Sequence, residues 1–325
     1  MHTDGPGSRI GMIKPLRVRV AIPHYFRETA KEHSYGSGRQ GASMVRRIAL
    51  GRCLGALINL QRSSQDLVLN IGQRCLNPTG PLLGVNQQPL PPVQLDVHII
   101  TTGCHRLDDV LGCFAGAIQV HEVVLEDPRT LALAARNILI RHPQPLELAL
   151  YLEDDLVISD PLFFDKQAWF LEATGQKAVL MPHRYEQVPG RDGQRLLVDG
   201  PLRADFIGQF TKPEQAVAHG RFWNGEEICF DRTANPHAGL FCLSRTQVEQ
   251  LQQLNLANEG FVGPMETAAT LTALAHFQVL KPSMANRGFL WVEHGHPSFH
   301  GYANSFAVVP DQALTGPVQN PVQPA

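Results

Sequence analysis

Apolar positions along this chain repeat with the period of a strand, then of a helix, then of a strand again. Residues 17–23 form a short β-rich run ended by proline and predict a first strand. From Met44 to Arg62, the apolar residues Val45, Ile48, Ala49, Leu54, Leu57 and Ile58 recur at helical spacing and predict an amphipathic helix. The polar, glycine-rich segment 33–43 before it and the Pro-, Gly- and Asn-punctuated segment 76–93 after it read as loops. Strands are then predicted at 95–100, 121–125, 146–152 and 177–181, with helices between them at 107–118, 127–142 and 161–174. Pro128 suits the first turn of the middle helix and Pro143 stops it. Strands that alternate with helices of this length argue for parallel βαβ units with both sheet faces covered.

The second half is more broken. A hairpin turning at Arg191-Asp192-Gly193-Gln194 is expected within 185–205, then a strand at 240–243 and a helix at 245–254. Another helix opens at Gly263-Pro264, and a last strand at 289–292 precedes a histidine-rich segment. No internal repeat is evident. The organisation expected is a flexible lead over 1–15, a first half over 16–155, a second half over 156–308, and a disordered Pro- and Gln-rich tail over 309–325.

Composition narrows the class. With 43% hydrophobic and 18% charged residues, the 325-residue chain is an ordinary globular protein. A formal net charge of -2 gives no general basic surface for nucleic acid, so that partner is not expected. No apolar run is long enough to span a bilayer, and the N-terminus has no apolar core for a secretory signal. The six cysteines include no C-x-x-C pair, so neither a disulfide scaffold nor a cysteine zinc site is expected; reduced thiols point to the cytoplasm.

The candidate chemistry centres on Glu153-Asp154-Asp155, at the carboxyl end of the strongly apolar strand 146–152. Ligands of open α/β sheets gather beyond the carboxyl ends of strands. Strand alternation would put Glu153 and Asp155 on one side and Asp154 on the other. Acids this close repel one another, and a divalent cation with oxygen ligands such as Mg²⁺, Mn²⁺ or Ca²⁺ is the usual compensation. The plainer reading is a solvated acidic turn.

Ala135-Arg136-Asn137 ahead of the acidic triplet, with Ser159-Asp160-Pro161 and an aromatic helix behind it, resembles the GT-A glycosyltransferases. The resemblance implies a GT-A-like α/β fold with a mixed, mostly parallel sheet flanked by helices. It implies a nucleotide-sugar donor, a carbohydrate or other hydroxyl-bearing acceptor, and Mn²⁺ or Mg²⁺ on the donor diphosphate. Asp155 would be the metal ligand, with Glu153 or Asp154 on the ribose side or reaching the metal through water. Arg136 would lie near the nucleotide, the alternative being a surface pair with Glu126 or Asp127. Pro23 and Tyr25, just after the first strand, fall where such folds bind the base, and Tyr25 would stack on it or else pack over the sheet edge. In the turn Asn235-Pro236-His237-Ala238-Gly239, Gly239 would lie against the transferred sugar or simply form a tight loop.

The resemblance also implies a general base at a helix start. Glu266 is the first candidate and Glu259, seven residues earlier, the second; a base there would give inversion at the sugar carbon. A carboxylate in a first helical turn is equally explained by the helix dipole. Among the C-terminal histidines, His294 or His296 would complete the metal shell. His294, His296 and His300 together would instead make a zinc-dependent hydrolase. A non-catalytic carbohydrate- or calcium-binding module is the third reading.

Overall fold

The computed structural model describes residues 14–28, 40–144 and 146–309. Nearly all of the expected N-terminal lead, most of the 33–43 loop and the tail from 310 onward lie outside the described residues. The centre is a five-stranded sheet in the spatial order Leu240–Ser244, Leu148–Leu152, Leu16–Pro23, Val93–Thr101, Gln119–Glu122. All neighbours pair in parallel except Leu240–Ser244, which runs antiparallel to Leu148–Leu152.

Side-chain alternation in these strands builds an apolar layer on each face. Val18, Val20 and Ile22 point to one face and meet Leu50, Cys53, Leu54 and Leu57 of the helix Ser43–Ile58, with Phe163 and Phe170 of the helix Phe163–Ala173. Ala21, Ala149 and Tyr151 point to the other, under Leu131–Arg141, Arg245–Gln252 and the helical stretch that starts at Pro264. This is the expected α/β architecture: a mixed, mostly parallel sheet with helices on both sides.

Two smaller four-stranded sheets flank it. One runs in the order Arg195–Leu197, His183–Gln187, Trp291–His294, Leu156–Val157, and so includes the expected hairpin around 191–194. It sets His294 opposite Leu156, which carries the C-terminal histidines back to the acidic triplet. The other orders Glu214–Arg221, Glu227–Arg232, Gln278–Pro282 and Ala178–Leu180.

Several elements differ from the periodicity. The buried face of Ser43–Ile58 is Arg46, Ala49, Leu50, Cys53, Leu54 and Leu57, whereas Val45 and Ile48 are exposed. The helix after 107 is shorter, Asp108–Cys113, and the strand expected at 121–125 is Gln119–Glu122. The last strand is displaced to Trp291–His294. Strands Leu67–Asn70, Cys75–Pro78, Glu214–Arg221, Glu227–Arg232 and Gln278–Pro282 were not foreseen. Leu67–Asn70, Cys75–Pro78 and Glu214–Arg221 are largely solvent-facing, so they lack the apolar alternation that burial imposes, whereas Glu227–Arg232 buries Ile228 and Phe230 in a run too short and charged to read as a strand.

Candidate active site

In the central sheet the chain order reverses at Leu16–Pro23. The next two strands build outward on one side, and the chain then returns to lay Leu148–Leu152 on the other. A crevice opens beyond the carboxyl ends at such a reversal. His24 and the acidic triplet, each just past its strand, are therefore neighbours. Leu107 N donates to His24 Nε2 at 3.1 Å, so the ring proton sits on Nδ1 and is donated to Asp154 Oδ2 at 2.6 Å.

The acids do not alternate as a strand would place them, because the strand ends at Leu152. Asp154 and Asp155 instead share Arg46. Its Nη2 donates to both Asp154 oxygens, at 2.6 and 2.7 Å, and its Nη1 to Asp155 Oδ2 at 3.1 Å. Burial alone would raise the Asp154 carboxyl; the Arg46 charge and the His24 hydrogen bond hold it well below the usual carboxylate range. Asp154 is thus fully engaged by protein, a structural anchor rather than an open ligand. Much of the repulsion that argued for a cation is met by this arginine. Asp155 Oδ1, in contrast, has no protein partner among the described residues.

Glu153 is set apart. Its Oε2 lies 3.5 Å from Arg184 Nη1, but Arg184 is committed to Asp199, which it meets at 2.7 Å. Asp199 in turn faces the buried Lys281 Nζ at 3.4 Å. Burial outweighs so long a contact with a shared arginine and, with the nearby charges of Asp155 and Glu266, pushes the Glu153 carboxyl up to about 8. Its Oε1 is buried without a partner. The backbone of Gly239 presses on this group: Gly239 O accepts from Glu153 N at 3.0 Å, and a Cβ on Gly239 would meet Glu153 Oε2 at 2.5 Å. With φ at +64°, the position suits glycine on both counts. Gly239 is therefore a close-approach residue, and its nearest neighbour is Glu153.

The histidines divide. His294 Nδ1 lies 2.7 Å from Glu186 Oε1, and its Nε2 faces Asp155 Oδ2 at 3.7 Å. Burial would lower the His294 pKa, but the Glu186 hydrogen bond and the Asp155 charge prevail and raise it. Glu186 also accepts from the backbone N of Ser298, Phe299 and His300, so one buried carboxylate holds the whole segment in place. His296 is turned to Ser298, with its Nδ1 2.9 Å from Ser298 Oγ, and His300 lies partly exposed beside Glu186. Among the described residues no three His, Cys, Asp or Glu side chains converge to hold an ion, so the three histidines do not form a zinc site. A two-ligand site is a better fit. Two ligands each about 2.1 Å from a shared ion lie roughly 3–3.6 Å apart, so Asp155 and His294 at 3.7 Å need only a small adjustment. The carboxylate–histidine arrangement of Glu186 and His294 is the usual support for such a ligand.

Glu266 opens the helix Pro264–Glu266, which continues through a π-turn, Thr267–Leu271, into Thr272–Leu274. Its Oε2 is buried without a partner, and its charge reaches both Glu153 and Tyr151. Wide turns of this kind are frequent at functional sites. Glu259 lies exposed in the preceding loop. Tyr25 packs edge-on against His105 with ring centroids 5.3 Å apart, next to Pro23 at the end of the first strand. Arg136 meets neither Glu126 nor Asp127. It is buried, and its guanidinium donates to Ala257 O, Asn258 Oδ1 and Asn137 Oδ1, bracing the loop before Glu259. Burial pushes it down to about 10.

Sequence reasoning missed Arg46, Arg184, Glu186, Asp199 and Lys281. Arg46 had a signal: it occupies the helical spacing shared by Ala49, Leu50 and Cys53, so a charge sat on a buried face. Lys281 had a similar one, following Val279-Leu280 within a short β-rich run. The partners of Arg184, Glu186 and Asp199 are distant in sequence and leave no local pattern.

The charge array carries a pH consequence. His183 is buried and its Nε2 donates to Pro282 O at 2.7 Å. Burial and the adjacent Lys281 charge push it down to about 4. An unfolded histidine titrates near ~6.5, so as pH falls from there towards 4 the unfolded chain takes up a proton that the fold refuses. Stability is full above the unfolded value and falls across this window, by about 3 kcal/mol for this group. Urea midpoints measured against pH should drop over that range, and His183→Asn should flatten the drop; an unchanged slope in the variant would assign the loss elsewhere.

No protein-family model and no curated protein matches the sequence. Solved structures resemble the fold. Over 86% of this chain, S. aureus TarS 1-349 superposes with a TM-score of 0.40 at 11% identity. GalNAc-T7, solved with UDP, GalNAc and Mn²⁺, superposes over 86% with a TM-score of 0.42 at 11% identity. The mannosyltransferase PcManGT from Pyrobaculum calidifontis, with GDP-Man and Mn²⁺, superposes over 88% with a TM-score of 0.41 at 11% identity. The chain is similar in fold to these proteins and spans about half of their length, 58%, 43% and 58% respectively.

Proposed function

We propose that this chain is a glycosyltransferase that moves a sugar from a nucleotide-sugar donor to an acceptor hydroxyl with inversion. The observation that carries the reading is that Asp155 Oδ2, also held by Arg46, lies 3.7 Å from His294 Nε2, with His294 pinned by Glu186 and Asp155 Oδ1 left without a partner among the described residues, beyond the strand ends where the sheet order reverses. Residues 16–155 would supply the nucleotide side, with Pro23 and Tyr25 at the base, and residues 156–308 the acceptor side.

Asp155 and His294 would hold Mn²⁺ or Mg²⁺, and the ion would supply positive charge against a departing diphosphate. His296, whose Nδ1 is turned to Ser298 and which also feels the charge of Asp155, would be the alternative ligand through Nε2. Arg46 keeps Asp154 ionised and holds both Asp154 and Asp155 in place in the absence of substrate. Glu153, pushed up to about 8, is a protonated carboxyl at neutral pH and can donate a hydrogen bond to a ribose or sugar oxygen beside Gly239. Glu266, with a buried unpartnered oxygen, takes the proton from the acceptor hydroxyl.

Among the described residues no helix is long and apolar enough to cross a membrane. The six cysteines are all unpaired, which suits a reducing compartment such as the cytoplasm. The function is tested by incubating the protein with a panel of nucleotide sugars, following both melting temperature and nucleoside diphosphate release with Mn²⁺ and with chelator. Metal-dependent stabilisation by at least one donor, together with release, is expected. Neither effect with any donor would remove the reading.

A further inference from the structure

Leu67–Asn70 and Cys75–Pro78 form a two-stranded sheet that, among the described residues, pairs with no other strand. Leu67, Val68, Leu69, Ile71 and Leu76 are each more than half exposed, and none belongs to an apolar cluster of the core. A lone two-stranded hairpin is marginally stable in water, and an apolar free edge is a template for another strand. The two outer edges are not equivalent. Thr79 N donates to Asp66 O at 2.8 Å, so Asp66, Val68 and Asn70 turn their backbone groups inward. Leu67 and Leu69 therefore turn theirs outward along an edge that contains no proline. On the other strand Pro78 lies opposite Leu67 and blunts the outer edge, since it has no N–H to offer.

Charge identifies the occupant. Arg74, in the turn, is the only charged residue between Asp66 and Asp96, so nothing repels a close neighbour. Asp66 precedes the open strand and Arg74 closes its far end, and neither makes an ion pair among the described residues. Two copies of this strand laid antiparallel about a two-fold axis bring Asp66 of each alongside the Arg74 turn of the other. A bilayer would cover the leucines but leave the edge N–H and C=O groups without partners; a second strand satisfies both.

We propose that a second copy of this chain docks on the Leu67–Asn70 edge, completing a four-stranded antiparallel sheet across a two-fold dimer. The test is sedimentation equilibrium of the full chain at tens of micromolar. A dimer is expected for the wild type and a monomer for Leu67→Lys/Leu69→Lys, with unchanged circular dichroism and melting temperature in dilute solution. Asp66→Arg should weaken the dimer about ten-fold through lost attraction and new repulsion. The swap Asp66→Arg/Arg74→Asp should restore it, which a merely structural role for either residue would not do. A monomeric wild type, a dimer indifferent to these changes, or a monomer that floats with phosphatidylcholine–phosphatidylglycerol vesicles would each overturn the proposal.

Discussion

Asp155→Ala should lower turnover by about 10²–10³-fold, the usual scale for removing one preorganised electrostatic partner from developing charge. It should also remove the Mn²⁺-dependent part of the stabilisation given by a nucleoside diphosphate. The fold should survive, for reasons visible in the hydrogen bonds. The contact that ties Asp155 to the last strand is its backbone O, which accepts from Gly295 N at 2.6 Å and is kept by alanine. Arg46 retains both oxygens of Asp154. Asp154→Ala is a poorer test, because it strips the buried Arg46 and His24 of their shared anion. Breaking a buried pair from one side costs about 3–5 kcal/mol, so loss of activity there would be confounded with unfolding. Comparing the two variants by melting temperature and turnover separates a ligand from an anchor. An Asp155→Ala enzyme that turns over normally in chelator would end the metal-dependent reading.

Glu266→Gln should lower the turnover rate by about 10²–10⁴-fold, the range for losing a general base, with donor binding nearly unchanged. The substitution keeps shape and removes the proton acceptor. The structure gives Glu266 what a base needs: a rigid helical start after Gly263-Pro264, a buried oxygen with no partner, and Glu153 within electrostatic reach. Glu259→Gln should change turnover by less than about two-fold, as expected for an exposed loop side chain away from such contacts. A dead Glu259→Gln beside an active Glu266→Gln would move the base into the loop. If both stay active, the region supplies no base and the case for inversion falls with it.

Residues close in sequence made their own case. The apolar strand 146–152 ending in three acids, the helix bounded by Pro128 and Pro143, and the serial alternation before residue 181 all appear in the fold close to where periodicity put them. The reason is that burial on a sheet or helix face is a local constraint, repeated every two or 3.6 residues. Gly239 was visible for the same reason, since a close backbone approach excludes a side chain at one position.

The charge balance of the site was decided only in three dimensions. Arg46 comes to Asp154 from 108 residues away, and within the second half of the chain Glu186 comes to His294 from 108 residues away. Asp199 and Lys281 meet across 82 residues. Sequence alone counted three clustered acids and inferred a cation to neutralise them. Tertiary packing brings two arginines and a histidine to the same acids, engages Asp154 fully, pushes the Glu153 carboxyl up, and leaves one oxygen of Asp155 open. Local pattern says which groups are near a strand end; only the assembled sheet order says which charges from remote elements arrive there, and electrostatic balance depends on those.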